Sequence, residues 1–102
     1  MKNKPIDEIN NLLDFYEVLL TEKQQKVMDY YYREDYSLSE ISELLNISRA
    51  AILDNIKRSE KILKDYESKL KLVEKFMIRN SIYEEMLRDG NIKYVEKLKE
   101  SE

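Results

Sequence analysis

Between Pro5 and Gly90 the chain contains neither a proline nor another glycine. A stretch that long without either residue lacks the chemistry of the tight turns that connect antiparallel strands, and little in it interrupts a helix. Helices joined by short polar connections are what remains, so the expected fold class is all-α. With 42% hydrophobic and 38% charged residues, the chain is too apolar to stay disordered and too charged for a lipid environment. No apolar run approaches the roughly 18–20 residues needed to span a bilayer, and no membrane insertion is expected. Met1 to Asp7 lacks the apolar stretch of a signal peptide. The absence of cysteine excludes a disulfide framework and a thiolate metal site. These features predict a cytoplasmic protein.

Apolar spacing divides the chain further. Ile6, Ile9, Leu12, Leu13, Tyr16 and Leu20 recur at helical intervals, which predicts a first helix over 6–19 behind Pro5. Thr21 and Gln24 have the spacing of a capping box, as do Ser37 and Glu40, and Ser81 and Glu84. A second helix is expected from Thr21 to about Glu34, with Val27, Met28 and Tyr31 inward, and Asp35-Tyr36 as a connection. A short third helix carries Leu38, Ile41, Leu44 and Leu45 on one face. A long fourth helix follows Ser48. Its seam of Ile52, Ile56, Ser59, Leu63, Tyr66, Leu70, Val73 and Met77 alternates intervals of four and three. The box at Ser81 suggests an end near Asn80 and a restart. Gly90 reads as a stop, and Asn91 as the cap of a last helix with Ile92, Val95 and Leu98.

The segment Ser37-Leu38-Ser39-Glu40-Ile41-Ser42-Glu43-Leu44-Leu45-Asn46-Ile47-Ser48-Arg49-Ala50-Ala51-Ile52 has the residue types of a helix-turn-helix at the required spacings. Small Ser42 permits a close crossing. Asn46 tolerates the left-handed backbone of the turn. Ile47 plugs the gap between the helices, and Ile52 and Ile56 pin the second helix to the core. The opposite face of that helix is then free to enter a groove. The fold expected is a helix-turn-helix bundle: 1–70 form the core, with a recognition helix starting near 49, and 71–102 a C-terminal helical extension of the same structural unit.

Charge points to the same helix. The net charge is -3, which is unfavourable for a polyanion ligand as a whole. Met1 to Leu45 carries 5 basic and 10 acidic residues, Asp65 to Glu102 carries 8 and 9, and only Asn46 to Lys64 has a basic excess, 5 to 2. The candidate nucleic-acid-binding residues are therefore Ser48, Arg49, Ala50, Leu53, Asp54, Lys57, Arg58, Lys61 and Lys64. The cations suit phosphates; Asp54 restricts base readout, since a carboxylate accepts only from the amino group of cytosine. The eight tyrosines could stack on RNA bases, but the consecutive Tyr30, Tyr31 and Tyr32 point three ways on a helix, which reads as core plus amphipathic surface.

These residues resemble region four of bacterial sigma factors, whose first helix is entered by a stretch like Leu20-Thr21-Glu22-Lys23-Gln24-Gln25. They resemble the YlxM family more closely, through Tyr30-Tyr31-Tyr32, Ser37 to Leu45, and Asp54-Asn55-Ile56-Lys57-Arg58-Ser59-Glu60-Lys61. The resemblance covers roughly Asp14 to Phe76. It implies a fold of the sigma-region-four type. It also implies a regulatory or accessory role in the signal recognition particle pathway, because members of the family are typically encoded beside the particle's GTPase.

The expected function is a nucleic-acid-binding regulatory protein, with DNA or the RNA of the signal recognition particle as partner. The alternative is an accessory factor that contacts the particle's GTPase without reading DNA. Nothing supports catalysis: there is no His or Cys, and the Ser and Thr residues with a clear role are helix caps with no base in view. No acidic loop has the spacing of a hard-cation site, and no cofactor is expected. The seam either folds back within one chain or forms a homodimer, for which the interface residues would be Leu63, Tyr66, Leu70, Val73, Phe76 and Met77.

Overall fold

The structure, a computed structural model, describes residues 4–89. Helix α1 spans Ile6–Tyr16 and runs into a 3-10 turn, Glu17–Leu19. Helix α2 spans Glu22–Met28 and continues as a π-helical turn, Asp29–Arg33. Helices α3 (Leu38–Leu45), α4 (Arg49–Leu70) and α5 (Leu72–Asp89) follow. The chain divides into two compact units, one ending at Lys69 and the other beginning at Leu70. No helix among the described residues is long and apolar enough to cross a membrane.

The core of the first unit follows the predicted stripes. Ile9, Leu12, Leu13 and Tyr16 of α1 are buried with Val27, Met28, Ile41, Ile52, Ile56 and Leu63. The π turn is what the 3.6-residue pattern could not foresee. Glu34 N–H donates to the carbonyl of Asp29, five residues back, at 2.9 Å. The wider turn changes the phase of the helix, and both Tyr31 and Tyr32 are buried, their rings edge to face at 5.0 Å. Tyr30 instead stacks on Tyr36 at 5.3 Å. The left-handed backbone of Asp35, φ 57°, then redirects the chain into α3. Lys4 secures this bend from the other end of the unit. Its ammonium donates to the carbonyl of Tyr31 at 2.9 Å and to Asp35 at 3.1 Å, and sits 3.8 Å from the centre of the Tyr31 ring.

Two expectations need correction. Leu44 does not join the core stripe of α3: it is 55% exposed, while Ile41 is fully buried. The long helix does not end near Asn80. It breaks at Lys71, which takes a left-handed φ of 54°, and α5 passes through Asn80 and Ser81 without interruption. Asn80 and Ser81 lie in the interior of α5, so their capping potential is unused. The predicted stop at Gly90 and the last helix with Asn91, Ile92, Val95 and Leu98 lie outside the described residues.

Ile52 is 1% exposed and anchors α4. Ile52→Ala should destabilise the protein by about 2–5 kcal/mol, as core truncations do, measured as a shift in the urea midpoint by circular dichroism. A second expectation concerns pH. Burial, followed by the hydrogen bond to Glu60, raises the Tyr32 phenol above its ordinary value of 10.0. A raised acid keeps its proton in the folded state, so its contribution is complete below about pH 10 and declines as pH rises further. The unfolding free energy should therefore fall between pH 10 and 11.5, and Tyr32→Phe should flatten that fall.

Candidate nucleic-acid interface

The helix-turn-helix is closed by side chains at each joint. Ser37 Oγ accepts from Glu40 N–H at 3.1 Å while Glu40 accepts from Ser37 N–H at 3.0 Å. Asn46 adopts φ 55°, ψ 46°, the left-handed conformation predicted for the turn. Ile47 N–H reaches back to the carbonyl of Ser42 at 3.2 Å, and the Ser42 hydroxyl donates to the carbonyl of Ile47. Ser42 thus closes the turn as well as leaving room for it. Ser48 Oγ accepts from Ala51 N–H at 3.1 Å and starts α4.

Ile52, Ile56, Ser59 and Leu63 form the buried stripe of α4. Beside it stand two carboxylates. Glu60 accepts from the Tyr32 hydroxyl, and Glu67 accepts from the Tyr16 hydroxyl at 2.6 Å. Tyr66, one residue before Glu67, stacks on Tyr16 at 6.2 Å. Two acids of α4 are thereby directed at the bundle's tyrosines.

Of the predicted contact residues, Ser48, Arg49, Ala50, Asp54, Lys57, Arg58, Lys61 and Lys64 are exposed and Leu53 is half-buried. Asp54 and Arg58 pair with each other at 2.9 Å, with both side chains largely in solvent. Arg49, Lys57, Lys61 and Lys64 have no carboxylate partner among the described residues. Elsewhere in this unit, Arg33 collects Asp14, Glu17 and Asp29 at 3.1, 2.7 and 2.8 Å. Burial opposes the charge on that guanidinium, but the hydrogen bonds to Glu17 and Asp29 outweigh it and hold its pKa above the ordinary value.

Two lysines that charge counting by segment missed lie beside α4. A groove of about 310 Å³ is lined by Thr21, Lys23 and Gln24 from the start of α2, Ile47 from the turn, and Ala51, Asp54, Asn55 and Arg58 from α4. A neighbouring groove of about 370 Å³ is lined by Glu22, Lys23, Lys26, Leu45 and Ile47. Lys23 and Lys26 are exposed. Their spacing of three, which puts both on one side of α2, was the available signal, obscured by the acidic balance of the surrounding sequence.

The residues proposed for a dimer interface separate. Leu63 is fully buried within its own chain and Val73 is also buried, so neither side chain is offered to a second copy. Tyr66 is 37%, Leu70 46%, Phe76 41% and Met77 55% exposed.

This sequence and architecture have relatives. Residues 3–101 match the family UPF0122, described as "Putative helix-turn-helix protein, YlxM / p13 like". A UPF0122 protein of Lactococcus lactis subsp. cremoris (strain MG1363) is 47% identical over 88 residues, covering 86% of this chain and 79% of that protein. The UPF0122 protein YofM of Lactococcus lactis subsp. lactis (strain IL1403) has the same identity and coverage. A UPF0122 protein of Streptococcus suis (strain 98HAH33) is 45% identical over 87 residues, 85% of this chain and 77% of its own. The match extends well past Phe76, through α5, and the chain belongs to the UPF0122 family of YlxM/p13-like helix-turn-helix proteins.

Proposed function

We propose that this protein is a non-enzymatic, nucleic-acid-binding regulatory or accessory factor that contacts its target through α4. The observation that carries this reading is the composition of the exposed face of α4. Glu60 and Glu67 are engaged by tyrosines, Asp54 is neutralised by Arg58, and Arg49, Lys57, Lys61 and Lys64 stand exposed against one further acid, Asp65. A helix of this kind can hold phosphates along one edge and bring Arg49, Ala50 and Leu53 to base edges. An exposed ion pair such as Asp54–Arg58 is worth about 0–1 kcal/mol, so exchange of its carboxylate for a phosphate is cheap. A role in the signal recognition particle pathway, and its RNA or GTPase as partner, rest on the family resemblance alone.

Reversing charge at Arg49 and Lys57 together should abolish binding to nucleic acid, and milder replacement by Gln should lower the slope of log K against log salt by roughly two phosphate contacts. Fluorescence anisotropy across a salt series measures both. If the Gln double variant binds like the parent, α4 is not the contact surface. Binding to the particle's GTPase that is insensitive to salt, with no nucleic-acid binding, would favour the accessory-protein reading.

We also propose a homodimer formed through α5. Leu72, Phe76, Tyr83 and Leu87 are all exposed at intervals of four, seven and four, and Leu70 and Met77 add further apolar surface. A stripe of that period on one helix can pair with a second copy of itself. Sedimentation equilibrium at tens of micromolar protein should give a dimer mass that Leu87→Glu together with Met77→Glu shifts to the monomer. A parent of monomer mass would show that the proposed dimer does not form.

A further inference from the structure

We infer that α2 is a second phosphate-contacting element, in which Lys23 and Lys26 hold the sugar–phosphate backbone of a DNA duplex whose major groove receives the first turns of α4. The inference rests on the nucleic-acid reading of α4 and adds to it a separate helix and a commitment to one type of duplex.

Lys23 lines both grooves that border the turn and the start of α4, and Lys26 lines the outer one. Each is exposed, and neither has a carboxylate partner among the described residues. Glu22 is the one acid lining the outer groove. Asp14, Glu17 and Asp29 are drawn to Arg33; Glu22 and Glu34 line a further groove with Lys26 but form no ion pair with it among the described residues. Three residues of helix rise about 4.5 Å, and successive phosphates of one strand advance about 3.4 Å along the duplex. Two flexible lysines at that spacing suit neighbouring phosphates. A helix that enters a major groove has a phosphate backbone on each side, and α2 stands on the flank of α4 marked by Ala51, Asn55 and Arg58. B-form DNA has a groove wide enough to admit α4, whereas the major groove of A-form RNA is too narrow.

The test uses the full chain and Lys23→Gln/Lys26→Gln, with circular dichroism to confirm equal folding. Each is titrated by anisotropy into a mixed-sequence DNA duplex of about 20 base pairs, two helical turns, over a salt series. A duplex RNA of equal length and the corresponding single strand are run beside it. The variant should bind the DNA duplex more weakly by the same factor whatever its sequence. The slope of log K against log salt should fall by about 1.8, two contacts at about 0.9 each. Parent-like affinity and slope in this variant, with a clear loss for Arg49→Gln/Lys57→Gln, would overturn the role of α2 and leave that of α4 intact. Equal or tighter binding of the parent to duplex RNA or the single strand would overturn the DNA assignment. Absence of salt-dependent binding by the parent to any of the three would overturn both readings.

Discussion

Two hydrogen bonds from tyrosine hydroxyls to glutamates fix the rotation of α4 about its own axis. Tyr32 holds Glu60 and Tyr16 holds Glu67, from two different segments of the bundle and at points seven residues apart on the helix. An apolar stripe alone tolerates some rotation, because Ile, Leu and Val are nondirectional partners. A hydroxyl donating to a carboxylate does not, since a small turn of the helix loses the bond. A net contribution of about 0.5–1.5 kcal/mol for each bond is modest, and more of the consequence lies in orientation than in stability.

That orientation reconciles an acidic chain with a basic helix face. Net charge describes the molecule at a distance; a ligand in contact responds to the side chains within a Debye length of it, about 8 Å at physiological salt. In the first unit several carboxylates are held by other side chains. Three gather at Arg33, two are bonded by buried tyrosines, and Asp54 lies against Arg58. On α4 this leaves Arg49, Lys57, Lys61 and Lys64 exposed against one further acid, Asp65.

The features legible in the sequence were those that a residue type specifies locally. Ser37 with Glu40, Thr21 with Gln24, and Asn46 each announce a backbone geometry by their own chemistry, and the structure places the helix ends there. Ile52 and Ile56 were legible because burial follows a fixed helical period. The left-handed break at Lys71 was not, because lysine carries no preference for positive φ and only the surrounding structure selects it. The π turn at Asp29–Arg33 was missed for the opposite reason: the apolar pattern was present, but counting at 3.6 residues per turn allots Tyr31 and Tyr32 different environments. Leu63 fitted a seam that suited either a core or a partner, and periodicity has no term for which of the two is nearer. The lysines of α2 belonged to a surface assembled from distant segments, which counting along the chain averages away.

Lys4 gives the first described residues an influence beyond their own helix. Its ammonium bonds to the backbone of Tyr31 and to Asp35, so a contact 31 positions apart closes a loop around α1 and α2. Closing such a loop has an entropic cost that rises only slowly with its length, and once closed it confines the bend that delivers the chain to Ser37. The entry to α3 is thus tethered at a point remote in sequence. A substitution at Lys4 is, in three dimensions, a change at the threshold of the helix-turn-helix, where Lys4 shares a groove with Ser37, Leu38 and Glu40.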